Sequence, residues 1–324
     1  MSGAVSASPA GAGSLVGPAG LDDVVCPFVI DQAPIRGRIA RLGAASIDPI
    51  LKRHDYPRPV ATVLGEAVVL AALIGTAMKH SGRLIVQVEG DGPLSFVVAE
   101  YRAALGVRGY AKIDAAGFRQ AFGADPPGRL PISAMLGAGA FAMTLDQGPD
   151  TERYQGIAPL QGDTLAACAE HYFRQSEQTP TCFRLTVAQS ISHDLSRWRA
   201  GGVFLQRIAG DAARGEADDA WETAQTHFST IGDDELTDPM LGADRLVYRL
   251  FHEQGVRLAQ PTEVVERCTC DRARFTAVLQ GFEQAEVRAM ALEDGLLHAR
   301  CEFCGRTYLI APDEIGAGSP DRGG

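Results

Sequence analysis

The chain has 324 residues, of which 46% are apolar, and carries a net charge of −10 with a pI near 5.2. That length points to one larger domain with smaller pieces attached, and the apolar share is enough for a sizeable core. An acidic surface repels phosphate, which argues against nucleic acid as a partner.

Residues 1–20 are mostly Ala, Gly, Ser and Pro, with no basic start and no apolar h-region. They read as a disordered tail and not as a secretory signal. Val24, Phe28, Ile30, Ile35 and Ile39 then follow at roughly strand spacing, with Arg36, Arg38 and Arg41 between them, expected to face solvent. Asp48 to His54 fits a short helix, stopped by Pro57 and Pro59. Val60 to Met78 is apolar around nearly the whole wheel, so neighbours must enclose it. Glu66, Gly65 and Gly75 interrupt it and no second such run follows, which favours a buried core helix over a membrane span.

From Leu84 the pattern alternates, Leu84, Val86 and Val88 against Ile85, Gln87 and Glu89. Gly90-Asp91-Gly92-Pro93 turns the chain into a strand over Leu94–Ala99, and Val107–Ile113 continues the meander. Ile132–Gly137 reads as a turn and Ala140–Leu145 as a strand. Arg153-Tyr-Gln-Gly156 reads as an exposed turn before another strand. Asp163 is the expected N-cap of a helix that places Leu165, Cys168, Ala169 and Tyr172 on one face. Strands over Cys182–Ala188 and Gly202–Ile208 close a core domain spanning 21–209. Gly137-Ala-Gly139 is a turn and no phosphate loop, since no Lys-Ser/Thr follows. His193 and Asp194, close to Ser190, Ser192 and Ser196, read as a polar turn and not as a catalytic triad.

Residues 210–265 read as a helical, weakly anchored linker. Between 211 and 240 nine acidic residues (211, 216, 218, 219, 222, 233, 234, 235, 238) face the single Arg214. The simplest reading of these acids is a solvated surface. Arg245–His252 is amphipathic through Leu246, Val247, Leu250 and Phe251.

The strongest chemical signal lies in 266–312. Cys268-Thr-Cys270 and Cys301-Glu-Phe-Cys304 are separated by 30 residues. Two close pairs of thiolates can surround one Zn²⁺ tetrahedrally at about 2.3 Å. Gly305 lets the second knuckle turn its N–H groups toward the sulfurs. A helix over Arg272–Leu279 and a strand pair around Arg300 and Tyr308 would bring the pairs together. A module this small needs a staple. A four-Cys shell leaves no position for an activated water, so the ion is structural and the protein is not expected to be an enzyme. Metal-bound thiolates are also what oxidants attack, and their oxidation would eject the ion and unfold the module. Cys168 and Cys182 read as buried and inert, while Cys26 is left open to solvent and to redox chemistry. Residues 313–324 are Gly-rich and expected to fray.

From about residue 24 to 312 the sequence resembles the Hsp33 family of redox-regulated chaperones. The resemblance rests on the cysteine spacing with Gly305, on Glu152-Arg-Tyr-Gln-Gly156, and on Leu160-Gln-Gly-Asp-Thr-Leu-Ala-Ala167 running into Tyr172-Phe-Arg-Gln-Ser-Glu-Gln178. Ala200-Gly-Gly202 and Glu293-Asp-Gly295 complete it. It implies an α+β fold: an N-terminal core whose sheets cover a buried apolar helix, a helical metastable linker and a small C-terminal zinc domain. It also implies a Zn²⁺ on Cys268, Cys270, Cys301 and Cys304 in a reduced, inactive state. Oxidation by hydrogen peroxide or hypochlorous acid under unfolding conditions gives disulfides Cys268–Cys270 and Cys301–Cys304, releases the zinc and unfolds the linker. The oxidised form is then a cytoplasmic, ATP-independent holdase that dimerises and binds unfolding clients. Two readings compete with it, a zinc-ribbon nucleic-acid or translation-associated factor and a thiol oxidoreductase using Cys301 and Cys304. The acidic charge opposes the first, and no thioredoxin-like βαβ setting supports the second.

Overall fold

The computed structural model describes residues 22–31, 33–77, 82–148, 151–192, 195–208 and 217–315. The two tails, His193 and Asp194, and Met78 fall outside these, except that 313–315 form part of a short turn with Ile315 buried.

Two antiparallel sheets build the core. One is made of β1 (Val24–Ile30), β2 (Ile35–Leu42), β8 (Thr181–Ser192) and β9 (Leu195–Arg207), in the order β1-β2-β9-β8. The other is made of β3 (Arg83–Gly90), β4 (Leu94–Arg102), β5 (Gly106–Ile113), β6 (Gly139–Asp146) and β7 (Tyr154–Pro159), in the order β5-β4-β3-β6-β7. Helix α1 (Ile47–Arg53) packs against β9, and α2 (Arg58–Gly75) lies between the sheets with nearly every side chain buried. The wholly apolar wheel demanded such enclosure. Helix α1 ends at Arg53, before the Pro57 and Pro59 pair as expected, and the pair also starts the next helix, with Pro57 capping α2 and Pro59 in its first turn.

Around these lie α3 (Ala115–Phe122), α4 (Ile132–Leu136) and α5 (Leu165–Tyr172). Residues 132–136 are therefore helical and not a turn. Thr164 caps α5 by accepting from the Ala167 N–H, while Asp163, one residue earlier, accepts from the Ser133 hydroxyl at 2.9 Å. Tyr154-Gln-Gly156 lies on a strand and not in an exposed turn. A Cβ at Gly156 would strike the hydroxyl end of the buried Tyr172, which explains why these two stretches belong together.

The first sheet buries both faces. Val25, Ala40, Leu42, Ala200 and Phe204 turn toward α2, while Val24, Phe28, Ile30, Ile35, Ile39, Val203 and Leu205 form a second apolar face. Three helices cover that second face: α6 (Ala217–Ser229), α7 (Asp233–Thr237) and α8 (Ala243–Phe251). They contribute Trp221, Phe228, Leu236, Leu246, Val247, Leu250 and Phe251, and the connection between α6 and α7 adds Ile231. Anchorage is thus firmer than the thin spacing of these residues suggested. The segment is not wholly helical either. β10 (Val256–Leu258) and β11 (Thr262–Glu263) both pair with β1 and extend the first sheet.

Two expectations fail here for one reason, the closing of α6–α8 over this face. Arg41, expected in solvent, is 2% exposed beneath α7, and Cys26, left open to solvent, is buried. Gly201 and Gly202 show how closely the layers approach. Their missing side chains make room for the Leu236 backbone on one face and for Val69 of α2 on the other.

Candidate metal centre

The four-cysteine module hangs from the edge of the second sheet. Residues 265–267 run beside β5, with Val107 N–H donating to Val265 at 2.8 Å and Arg267 N–H donating to Val107 at 2.9 Å. Cys268 and Cys270 follow at once, and Asp271 then caps α9 (Arg272–Leu279) by accepting from the Arg274 N–H. After α10 (Gln284–Ala289) the chain forms the hairpin β12 (Leu297–Arg300) and β13 (Thr307–Ile310), whose connection carries Cys301 and Cys304. Gly305, at φ +69°, allows the tight return in which its N–H donates to the Cys301 carbonyl at 2.7 Å.

All four Sγ atoms lie within 4.8 Å of one another. Two close approaches cross between the pairs, Cys270 to Cys304 at 3.3 Å and Cys268 to Cys301 at 3.7 Å. Cys301 is buried and the other three are half-buried. Burial opposes ionisation of Cys270, but the Tyr308 hydroxyl and the neighbouring thiols outweigh it and bring it down to about 7. Burial and then hydrogen bonding to Cys270 push Cys304 up to about 12, and burial also raises Cys301. Four thiolates this close repel one another, and one cation in their midst would remove that conflict. The arrangement can therefore hold a metal ion in a shell of four sulfurs.

Its support comes from two sides. Within the module, the Tyr308 hydroxyl lies 3.4 Å from Cys270 Sγ and donates to the Cys270 carbonyl at 3.0 Å, while the Phe275 ring packs on Tyr308. From the core, Arg53 donates to the Phe303 carbonyl at 2.9 Å and pairs with Glu266 at 3.1 Å. Arg108 pairs with Glu100 at 2.7 Å, stacks over the Phe303 ring at 4.2 Å and reaches 3.9 Å from Cys268 Sγ. The module's own apolar cluster has only Val287, Leu297, Ile310 and Ile315 fully buried. That is little area for independent stability.

The sequence singled out the cysteines and marked Tyr308 only as part of a strand pair, which β12 and β13 bear out, but it did not point to Arg53, Arg108 or Phe303 as supports. An aromatic residue inside the second knuckle was the one visible signal. The other three thiols lie apart from the cluster. Burial pushes Cys26 and Cys168 to about 11 and raises Cys182 as well, which makes all three poor nucleophiles.

A family model described as Hsp33 protein matches residues 23–311. The 33 kDa chaperonin of Caulobacter vibrioides (strain NA1000 / CB15N) is 50% identical over 295 residues, covering 90% of this chain and 96% of its own length. That of Serratia proteamaculans (strain 568) is 34% identical over 290 residues, covering 90% and 92%. Among solved structures, the 33 kDa chaperonin of Thermotoga maritima superposes with a TM-score of 0.71 at 22% identity, over 90% of this chain and 96% of that one. That last likeness is one of fold.

Proposed function

The chain belongs to the Hsp33 family of chaperones, and from that premise we propose that it is a redox-regulated, ATP-independent holdase. The observation that carries this reading is the cover over the first sheet. An apolar face is closed by α6–α8, and the chain that closes it leads directly into the four-cysteine module.

In the reduced state Cys268, Cys270, Cys301 and Cys304 hold one Zn²⁺. A tetrahedron of sulfurs about 2.3 Å from an ion has edges of about 3.8 Å, close to the 3.7 Å between Cys268 and Cys301. When bound, the ion keeps all four sulfurs as thiolates and supplies the folding free energy that the module's small cluster lacks. Each pair of thiolates then gives two electrons to one hydrogen peroxide, takes up no oxygen and forms one S–S bond, while the O–O bond breaks and the peroxide, taking two protons from solvent, leaves as two waters. The pairs are Cys268–Cys270 and Cys301–Cys304, as in the family pattern. With no thiolate left to hold the ion, residues 266–312 lose their fold and the linker, 210–265, loses its C-terminal anchor on the core of 21–209. The uncovered face binds unfolding proteins non-directionally, in the cytoplasm, and joins two oxidised chains as a homodimer.

The test is light scattering from a thermally unfolding client without ATP. Peroxide-treated protein at heat-shock temperature should suppress aggregation, and reduced zinc-loaded protein should not. No protection by the oxidised form overturns the reading. An oxidant response in Cys268→Ser equal to the wild type would remove the zinc centre from it.

A further inference from the structure

Four arginines of the core converge on α7. Arg184 grips the Asp233 carboxylate at 2.8 and 3.0 Å, and Arg129 approaches its other oxygen at 3.8 Å. At the opposite end Arg41 donates to the carbonyls of Glu235 and Asp238, and Arg199 donates through Nε to that of Thr237 at 2.7 Å. Between the two ends Leu236 is buried, with its backbone against Gly201. The cradle thus recognises a carboxylate, an apolar residue three positions later, and the free carbonyls of a helix end. Nothing in that pattern is peculiar to a tethered segment.

We infer that the same cradle, vacated when the linker undocks, selects client segments of this chemistry, namely short amphipathic stretches with an acidic residue three positions before an apolar one. The inference rests on the undocking proposed above. The apolar face around Ile39 and Val203 supplies affinity without direction, and the arginines supply the preference. Their charges are not equally free for this. Without α7, Arg199 keeps Asp22 at 2.5 Å and Arg129 keeps Glu66 at 3.0 Å, while Arg184 loses the carboxylate it shares two contacts with. Arg184 is therefore the residue that carries the preference. A guanidinium suits the task because its planar fork takes a carboxylate in two bonds and is weakly hydrated.

The test uses full-length protein and two fluorescent peptides, one with this chain's residues 228–241 and one with Asp233→Lys in the same peptide. The tethered linker competes with both alike, so the affinity ratio is the quantity to read. In the oxidised protein the acidic peptide should bind about tenfold tighter at low salt. The preference should shrink at high salt and fall to within about twofold in Arg184→Gln. Equal binding of the two peptides by oxidised protein that still suppresses client aggregation overturns the inference and leaves the holdase reading intact. So does a preference that survives Arg184→Gln, or one shown equally by the reduced protein. Oxidised protein that suppresses no aggregation removes the holdase reading and this inference with it.

Discussion

Phe303, the residue next to Cys304 in the second knuckle, lies under the guanidinium of Arg108 at 4.2 Å. Arg108 in turn bonds Glu100 on the neighbouring strand β4 at 2.7 Å and reaches toward Cys268. The loop that shapes the four-sulfur cluster is thus also the surface that seats the module on the core. Any change that opens the knuckle must withdraw Phe303 from its seat.

This contact yields the first prediction. Phe303→Ala leaves all four cysteines in place but removes a cation–π contact worth about 1–2 kcal/mol when partly desolvated. The undocked population of the reduced protein should rise about tenfold. Hydrogen exchange of the β12–β13 amides should speed up, and zinc should reach a chromogenic chelator faster during peroxide treatment. Unchanged release would show that docking does not control access to the sulfurs.

Gly201→Ala probes the cover over the first sheet. The added methyl meets the Leu236 carbonyl, which is backbone and cannot swing away as a side chain would. Overpacking of this kind costs about 1–3 kcal/mol, and the direct way to relieve it is to lift α7. The reduced variant should bind an apolar dye that the reduced wild type excludes, with the core transition in urea little altered. A variant that excludes dye as well as the wild type would place α7 outside the uncovering step.

Much of the fold could be read from the sequence because local patterns and tertiary structure agreed. The apolar wheel of α2, the alternation in β3 and the Gly-containing turn before β4 all have their causes within a few residues. The four cysteines were legible for the same reason, since each pair is local and its spacing carries the chemistry. What escaped was set by distant partners. Arg41 alternates like a solvent-facing strand residue and becomes buried only because Glu235 and Asp238 offer it carbonyls. The acidic linker is solvated as it looked, with Asp218, Asp219, Glu222, Asp234 and Asp238 exposed, but its pairing of Asp218 with Arg207 and of Asp233 with Arg184 of the core could not be read from it. β10 is three residues long and acquires its identity from β1.

A pH dependence follows from Glu66, a fully buried carboxyl on α2. Burial, only partly offset by Arg129 at 3.0 Å, pushes it up to about 7. In the unfolded chain it ionises near its ordinary value of about 4.3. Between these values the folded state holds a proton that the unfolded state has lost, so stability falls as pH rises and levels off above about 7. The size is on the order of 3 kcal/mol. Urea midpoints at pH 5 and pH 8 should therefore differ less in Glu66→Gln, which stays neutral throughout, than in the wild type. Equal differences in the two proteins would place the Glu66 titration at its unfolded value.

Metal removal separates the module from the rest of the chain. With only Val287, Leu297, Ile310 and Ile315 fully buried among themselves, the module has little to hold it once the sulfurs lose a shared cation. The core has its own cluster around α2, made of residues from both sheets. A strong chelator under reducing conditions should leave the amides of α2, β3 and β4 protected while those of β12 and β13 exchange at rates near those of an unfolded chain. Protection in α6–α8 should fall by an intermediate amount, because their apolar contacts to β1, β2 and β9 remain while the anchor after residue 264 is gone. Re-adding zinc with the thiols still reduced should restore all three regions. If α6–α8 keep full protection without metal, losing the ion is not enough to uncover the sheet, and disulfide formation must do further mechanical work on the linker.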